Sequence, residues 1–178
     1  MIILGIDPGT ATTGWGVIEI PDDILGREFD YGIELISYGN IFTEKDKPMA
    51  DRLWKLSREL DDLIKKYDPH QIAVEMLFFG ANLKTAITVG QARGVVLMSA
   101  AKHRVPITEY TGLQVKLMVA GSGRSDKTQV HEGVRRFLGA NSGKRHKKLK
   151  VSWVGGHLDD ATDALAIAIC HVLKLAAK

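Results

Sequence analysis

Four carboxylates in this chain stand where a charge is hard to keep. Asp7 ends the apolar run Met1-Ile2-Ile3-Leu4-Gly5-Ile6, and Glu75 interrupts the apolar stretch from Gln71 to Phe79. Asp160 and Asp163 lie in the alanine-rich stretch Asp160-Ala161-Thr162-Asp163-Ala164-Leu165-Ala166-Ile167. A buried ionised carboxylate is costly unless it is paired or binds a cation. Each acid also has a plainer reading. Asp7 would be the solvated tip of a hairpin, Glu75 an edge residue, and Asp160 (with Asp159) a first-turn acid favoured by the helix dipole. Asp163 fits that last reading least, because it shares a helix face with Asp160 at i+3 on a helix that reads as closely packed. Four carboxylates brought together would repel unless divalent cations neutralised them. Oxygen-only ligands suit Mg²⁺ or Mn²⁺. Two such ions roughly 3.5–4 Å apart stabilise the attacking and leaving oxygens of an in-line phosphoryl displacement.

The elements that must position these acids follow from hydrophobic period and turn residues. Met1 to Gly9 reads as a strand covered on both faces, since its apolar residues run without alternation. Pro8-Gly9 forces a turn, and Ala11 to Ile18 returns as a second strand. After a polar, turn-rich link from Pro21 to Asp30, Gly32 to Phe42 forms a third strand and completes an antiparallel meander. Pro48 opens a helix to about Tyr67, with Met49, Leu53, Leu56, Leu60, Leu63 and Ile64 on one face. Trp54 falls off that stripe as an edge packing residue, and Asp68-Pro69 stops the helix. Gln71 to Phe79 is the fourth strand, ended by Gly80; following a crossover helix, it lies parallel to the first.

Asn82 to Arg104 is a long helix with the small residues Ala86, Gly90 and Gly94 at i, i+4 and i+8. Each mid-helix glycine costs roughly 1 kcal/mol against alanine, which a close helix contact would offset. Homodimerisation through this helix is one such contact. Val105 to Glu109 is a short fifth strand. Thr111 to Val119 is a short helix with Lys116 exposed, and Ser125 caps a helix to about Leu138. A loop at about 139–157 holds the apolar island Val151-Ser152-Trp153-Val154, and loops of that length are commonly functional or disordered. The last helix starts near Leu158-Asp159. The fold class is α/β, a five-stranded mixed sheet flanked by helices. Strands one to three are antiparallel, and four and five run parallel to the first. If the last helix crosses the ends of strands one and four, the four acids converge.

At 178 residues the chain reads as one domain over 1–178, with ordinary apolar (45%) and charged (25%) fractions. Its single cysteine, Cys170, excludes a disulfide framework and a cysteine-based zinc site. Asp7 interrupts the apolar start with no basic segment before it, which argues against a secretory signal. The C-terminal apolar run is broken by His171 and Lys174 and is too short for a bilayer. A reduced, cytoplasmic protein without a membrane partner is expected. The formal net charge of +3 hides an asymmetry. Residues 1–75 carry 8 basic and 15 acidic side chains, and residues 76–158 carry 14 basic and 3 acidic. A solvated face explains most charge runs, but net +11 over half of a small domain points to a polyanion. Lys144, Arg145, Lys147, Lys148 and Lys150 lie just before the last helix, within reach of phosphates near the acids.

Five blocks together carry a resemblance: Gly5-Ile6-Asp7-Pro8-Gly9, Ala73-Val74-Glu75, Gly90-Gln91-Ala92-Arg93-Gly94, Gln114-Val115-Lys116, and Asp160 to Ala166. In this order they resemble the RuvC family, the Holliday-junction resolvases of bacterial homologous recombination, and the likeness runs almost end to end. It implies a ribonuclease-H-like fold, with Asp7, Glu75, Asp160 and Asp163 as catalytic acids holding two Mg²⁺ (or Mn²⁺) ions per site. It implies a homodimer that nicks two opposed strands of a four-way DNA junction symmetrically, leaving 5′-phosphate and 3′-hydroxyl ends. A branch-migration helicase complex is the implied partner. Lys116 and Lys127 match basic residues near the scissile phosphate, and Arg93 is counted with the DNA-contacting residues. Phe78 matches an aromatic that stacks at the opened crossover; its plainer reading is core packing. The stretch from Ala140 to Val154 looks longer than the family's link, so its contacts do not carry over. Two other classes stand beside it: a fragment of an actin-like ATPase or sugar kinase, whose first phosphate loop Gly5 to Thr10 resembles, and a catalytically inactive junction-binding module.

Overall fold

β1 (Ile2–Asp7) is bonded on both edges, and the sheet is built outward from it. The computed structural model describes residues 1–21, 32–76, 83–139 and 159–177, with the side chains of residues 83–85 outside that description. β2 (Thr12–Glu19) pairs antiparallel with β1, and β3 (Glu34–Phe42) antiparallel with β2. Helix α1 (Met49–Tyr67) crosses over to β4 (Gln71–Glu75), which lies parallel to β1. α2 (Leu83–Lys102) leads to β5 (Ile107–Tyr110), parallel to β4. α3 (Gly112–Ala120), α4 (Lys127–Gly139) and α5 (Asp159–Ala176) complete the chain. The strand order is β3-β2-β1-β4-β5, the mixed five-stranded sheet expected from the sequence and the sheet of a ribonuclease-H-like fold.

Strand alternation divides the core into two layers. Leu4, Ile6, Val17, Ile72 and Val74 face α1 and α2, packing on Leu56, Leu60, Ile64, Ala92 and Val96. Ile3, Ile18 and Ala73 face the other way, onto α3, α4 and an α5 buried from Ala164 through Leu173. Ile3, Leu4 and Ile6 have no exposed surface, so β1 is covered on both faces, and each such side chain contributes about 1.5–3 kcal/mol by its burial.

Several local expectations need correction. Gly32 adopts φ 59°, so the third strand begins at Glu34 rather than at Gly32. β4 stops at Glu75, and Met76 beyond it donates its N–H to Tyr110 O at 2.7 Å. The expected end at Gly80 and the pair Phe78/Phe79 lie outside the described residues. Asp126, not Ser125, caps α4: its carboxylate accepts from Gln129 N–H at 2.9 Å, and Gln129 Oε1 accepts from Asp126 N–H at 3.0 Å. Ser125 is instead buried. Trp54 is 67% exposed and faces solvent rather than packing at an edge. Within the one chain the small residues of α2 do not all pack alike. Ala86 is buried, whereas a Cβ at Gly94 would meet nothing within 4 Å. None of the described helices is long and apolar enough to cross a membrane.

Candidate active site

Asp7 and Glu75 come together by register. Gly5 pairs with Ala73 and Ile6 with Val74, so Asp7 and Glu75 follow as the next residues of two parallel neighbours. Ile6 and Val74 point to α1 and α2, and alternation therefore sends both acids to the face of α5.

The start of α5 reaches them because three glycines let its backbone lie on the sheet. A Cβ at Gly5 would stand 2.1 Å from Ala164 O, one at Gly14 1.9 Å from Asp160 O, and one at Gly16 2.5 Å from the Leu165 side chain. No side chain fits in those gaps. The close approach lowers Asp160 and Asp163 onto the end of β1, where oxygens of Asp7, Asp160 and Asp163 all lie within 4.8 Å of one another. Glu75 stands outside that trio, beside Gly112, whose missing Cβ leaves room for Glu75 Oε1.

Burial pushes the Asp7 carboxyl up to about 7, and the charges of Glu75, Asp163 and Asp160 push the same way. Glu75 is raised by burial and by Asp163, against the pull of Lys116. Asp160 is raised by burial; Lys127 opposes this, while Asp163 and Asp159 add to it. Burial works against the Lys127 ammonium, yet Asp163 and Asp159 outweigh it and hold its pKa above the usual value. Lys127 Nζ sits 3.2 Å from Asp163 Oδ2 and 3.4 Å from Asp159 Oδ2. The pocket thus gathers more negative charge than Lys116 and Lys127 balance. An all-oxygen donor set under mutual repulsion fits a hard divalent cation.

Beside the acids is a cleft of about 250 Å³, with Glu75, Asp163, Lys116 and Lys127 at its polar edge and Val115, Val130 and Ile167 as its apolar lining. Lys116 is half-buried there rather than exposed. Arg93 is not brought to the acids. It pairs with both oxygens of Glu109, which faces away from Tyr110 and α5 toward the α1–α2 layer. Lys144, Arg145, Lys147 and Lys148, with the rest of the basic stretch, lie outside the described residues, as does Phe78. Sequence reasoning passes over His131, whose Nε2 is 3.5 Å from Asp163 Oδ1. Its spacing from Lys127 (i, i+4) is the available signal.

A family model described as "Crossover junction endodeoxyribonuclease RuvC" matches residues 3–171. A relative of that name from Desulfitobacterium hafniense is 47% identical over 171 residues, covering 96% of this chain and 92% of its own. One from Syntrophomonas wolfei is 45% identical over 172 residues, covering 97% and 88%. Among solved structures, Thermus thermophilus RuvC superposes with a TM-score of 0.80 at 30% identity, covering 98% of this chain and 95% of that one. The same protein in complex with a Holliday junction substrate gives 0.79 at 28%, covering 99% and 96%.

Proposed function

The chain belongs to the RuvC family of crossover junction endodeoxyribonucleases, and we propose that it cuts four-way DNA junctions at the Asp7, Glu75, Asp160 and Asp163 cluster. It is a phosphodiester hydrolase of homologous recombination and repair, with Holliday junctions as its substrate. The convergence of Asp7, Asp160 and Asp163 within 4.8 Å, from two segments far apart in the chain, is the observation that carries the choice of site.

The acids would hold two Mg²⁺ ions, or Mn²⁺. Such ions supply a water activated at neutral pH and stabilise charge on the attacking and leaving oxygens. Asp7, at the end of the central strand, orients the set. Lys116 and Lys127, beside the acids, bind the scissile phosphate and fix its position. Apolar side chains behind them thin out competing water. Cleavage leaves a 5′-phosphate and a 3′-hydroxyl.

Paired, symmetric nicks need two sites, and a homodimer through α2 supplies them. Ile87 is 64% and Met98 55% exposed on this helix, with the open flank of Gly94 between them. They fall at i, i+7 and i+11, one apolar stripe that the described residues leave open. The rest of the substrate contacts rest on sequence: Phe78 as the stacking aromatic, and Lys144, Arg145, Lys147 and Lys148 as phosphate contacts on a junction arm. Arg93, paired as it is with Glu109, supports α2 against β5 and contacts DNA only if that pair opens. A branch-migration helicase complex is the partner that would deliver the junction.

The rival classes gain no support. The family match spans residues 3–171, far beyond the segment shared with actin-like ATPases, and all four acids are present. The test is incubation of a synthetic four-way junction and a linear duplex of the same sequence with the protein and Mg²⁺. Symmetric nicks in the junction alone are expected; equal cutting of the duplex, or cutting unaffected by chelator, would contradict the reading.

A further inference from the structure

Asp163 is gripped from one side by a single helix. Lys127 and His131 are one turn apart on α4, on the same face. Lys127 Nζ lies 3.2 Å from Oδ2 and His131 Nε2 lies 3.5 Å from Oδ1, so each carboxylate oxygen faces its own nitrogen. The two neighbours differ in mobility. The Lys127 side chain is 51% exposed on a four-carbon stem, whereas the His131 ring is 18% exposed. His131 Nε2 is shut off from solvent and makes no hydrogen bond to any described residue. A buried ring nitrogen without a partner is destabilising, and Asp163 Oδ1 is the acceptor next to it. Contacts of this kind are often long in an unliganded site and tighten in the assembled one.

We propose that His131 is a positioning residue that fixes the Asp163 carboxylate for a divalent cation, while Lys127 is the partner that exchanges. This rests on Asp163 being a metal ligand, as proposed for the acid cluster. His131 is not itself placed to join that cluster, since the oxygens that converge are those of Asp7, Asp160 and Asp163. It acts from behind, as groups hydrogen-bonded to ligating carboxylates do. A cation held by Asp163 would repel the Lys127 ammonium and leave His131 as the group that holds the carboxylate.

The test is Mn²⁺ binding to the full chain without DNA, by isothermal titration, for wild type, Asp163→Asn, His131→Leu and His131→Gln. Leucine fills the space without a donor and should weaken Mn²⁺ binding about 10- to 100-fold. Glutamine returns an N–H and should restore most of that affinity. Junction affinity measured without metal should be the same for both His131 variants as for wild type. If His131→Leu does not melt cooperatively, His131→Met, which also lacks a donor, replaces it. Wild-type Mn²⁺ affinity in the leucine or methionine variant, or equal weakening in the glutamine variant, overturns the positioning role. Unchanged Mn²⁺ binding by Asp163→Asn would overturn the metal-site reading itself, which the His131 variants alone would leave standing.

Discussion

Two acids drawn out of water in this molecule are treated in opposite ways. Asp61 on α1 is 8% exposed and is met by Lys102 and by His103 Nε2 at 2.9 Å, both at the end of α2. Its burial is outweighed by those two hydrogen bonds, and its carboxyl lies below the usual range. Asp7, half-buried at the end of β1, has three more acids as neighbours; burial and their charges, only partly offset by Lys127, push it up to about 7. The first acid ties two helices together. The second is left in a state that favours a proton or a cation, as the proposed metal site requires. Burial alone does not separate them; the sign of the neighbouring charge does.

The contrast predicts different outcomes. Asp7→Asn should reduce junction cleavage by at least about three orders of magnitude, since metal-held charge supplies several kcal/mol of transition-state stabilisation. Binding of the junction should survive it. Asp61→Asn should leave the cleavage rate of the folded protein near wild type. Single-turnover cleavage of both variants checks the pair, and a large drop in Asp61→Asn would blur the distinction.

The next effect is geometric. Gly14→Val would drive side-chain atoms into Asp160 O, which already stands 1.9 Å from where a Cβ would sit. The helix must lift, carrying Asp160 and Asp163 away from Asp7. A misplacement of about 1 Å costs on the order of 100-fold in rate, and Mn²⁺ affinity should fall with it. Gly139→Ala, at the end of α4 where an added Cβ meets no described atom within 4 Å, is the control: it should keep both the rate and the Mn²⁺ affinity. A smaller change is expected from Lys144, Arg145, Lys147, Lys148 and Lys150 replaced together by Ser. Removing one phosphate-neutralising cation lowers the log–log salt slope of junction binding by about 0.9. Parallel salt lines would remove that stretch from the DNA interface.

Much of this site is legible in the sequence because buried strands and an alanine-rich helix leave few reasons for a carboxylate. The parallel crossover through α1 puts Asp7 beside Glu75, and the i, i+3 spacing puts Asp160 and Asp163 on one face. What sequence reading does not show is how low α5 sits on the sheet. Gly14 and Gly16 read as ordinary strand residues, and close approach of two backbones leaves no periodic signal. His131 escapes notice because its partner, Asp163, is 32 residues away across the helix pair α4–α5. The Asp61 cluster is hidden in the same way, a charged residue on a mostly apolar helix face. The small residues of α2 suggest one stripe, whereas the exposed apolar pair Ile87 and Met98 marks the open face.

The two acids also answer pH with opposite sign. The folded-state pKa of Asp7 lies above its unfolded value of 3.8, so its contribution is present at low pH and is withdrawn as pH rises through about 7. That of Asp61 is lowered, so its contribution is present at neutral pH and disappears as pH falls through its folded-state value. Thermal melting of the metal-free protein at pH 8 therefore tests the central claim directly. Asp7→Asn should melt higher than wild type, with a gain of roughly 1–4 kcal/mol from removing an uncompensated charge. Asp61→Asn should melt lower by about 1–3 kcal/mol, and added Mg²⁺ should raise wild type but not Asp7→Asn. A metal-free Asp7→Asn that melts below wild type would contradict the account, because Asp7 would then be a compensated structural acid like Asp61.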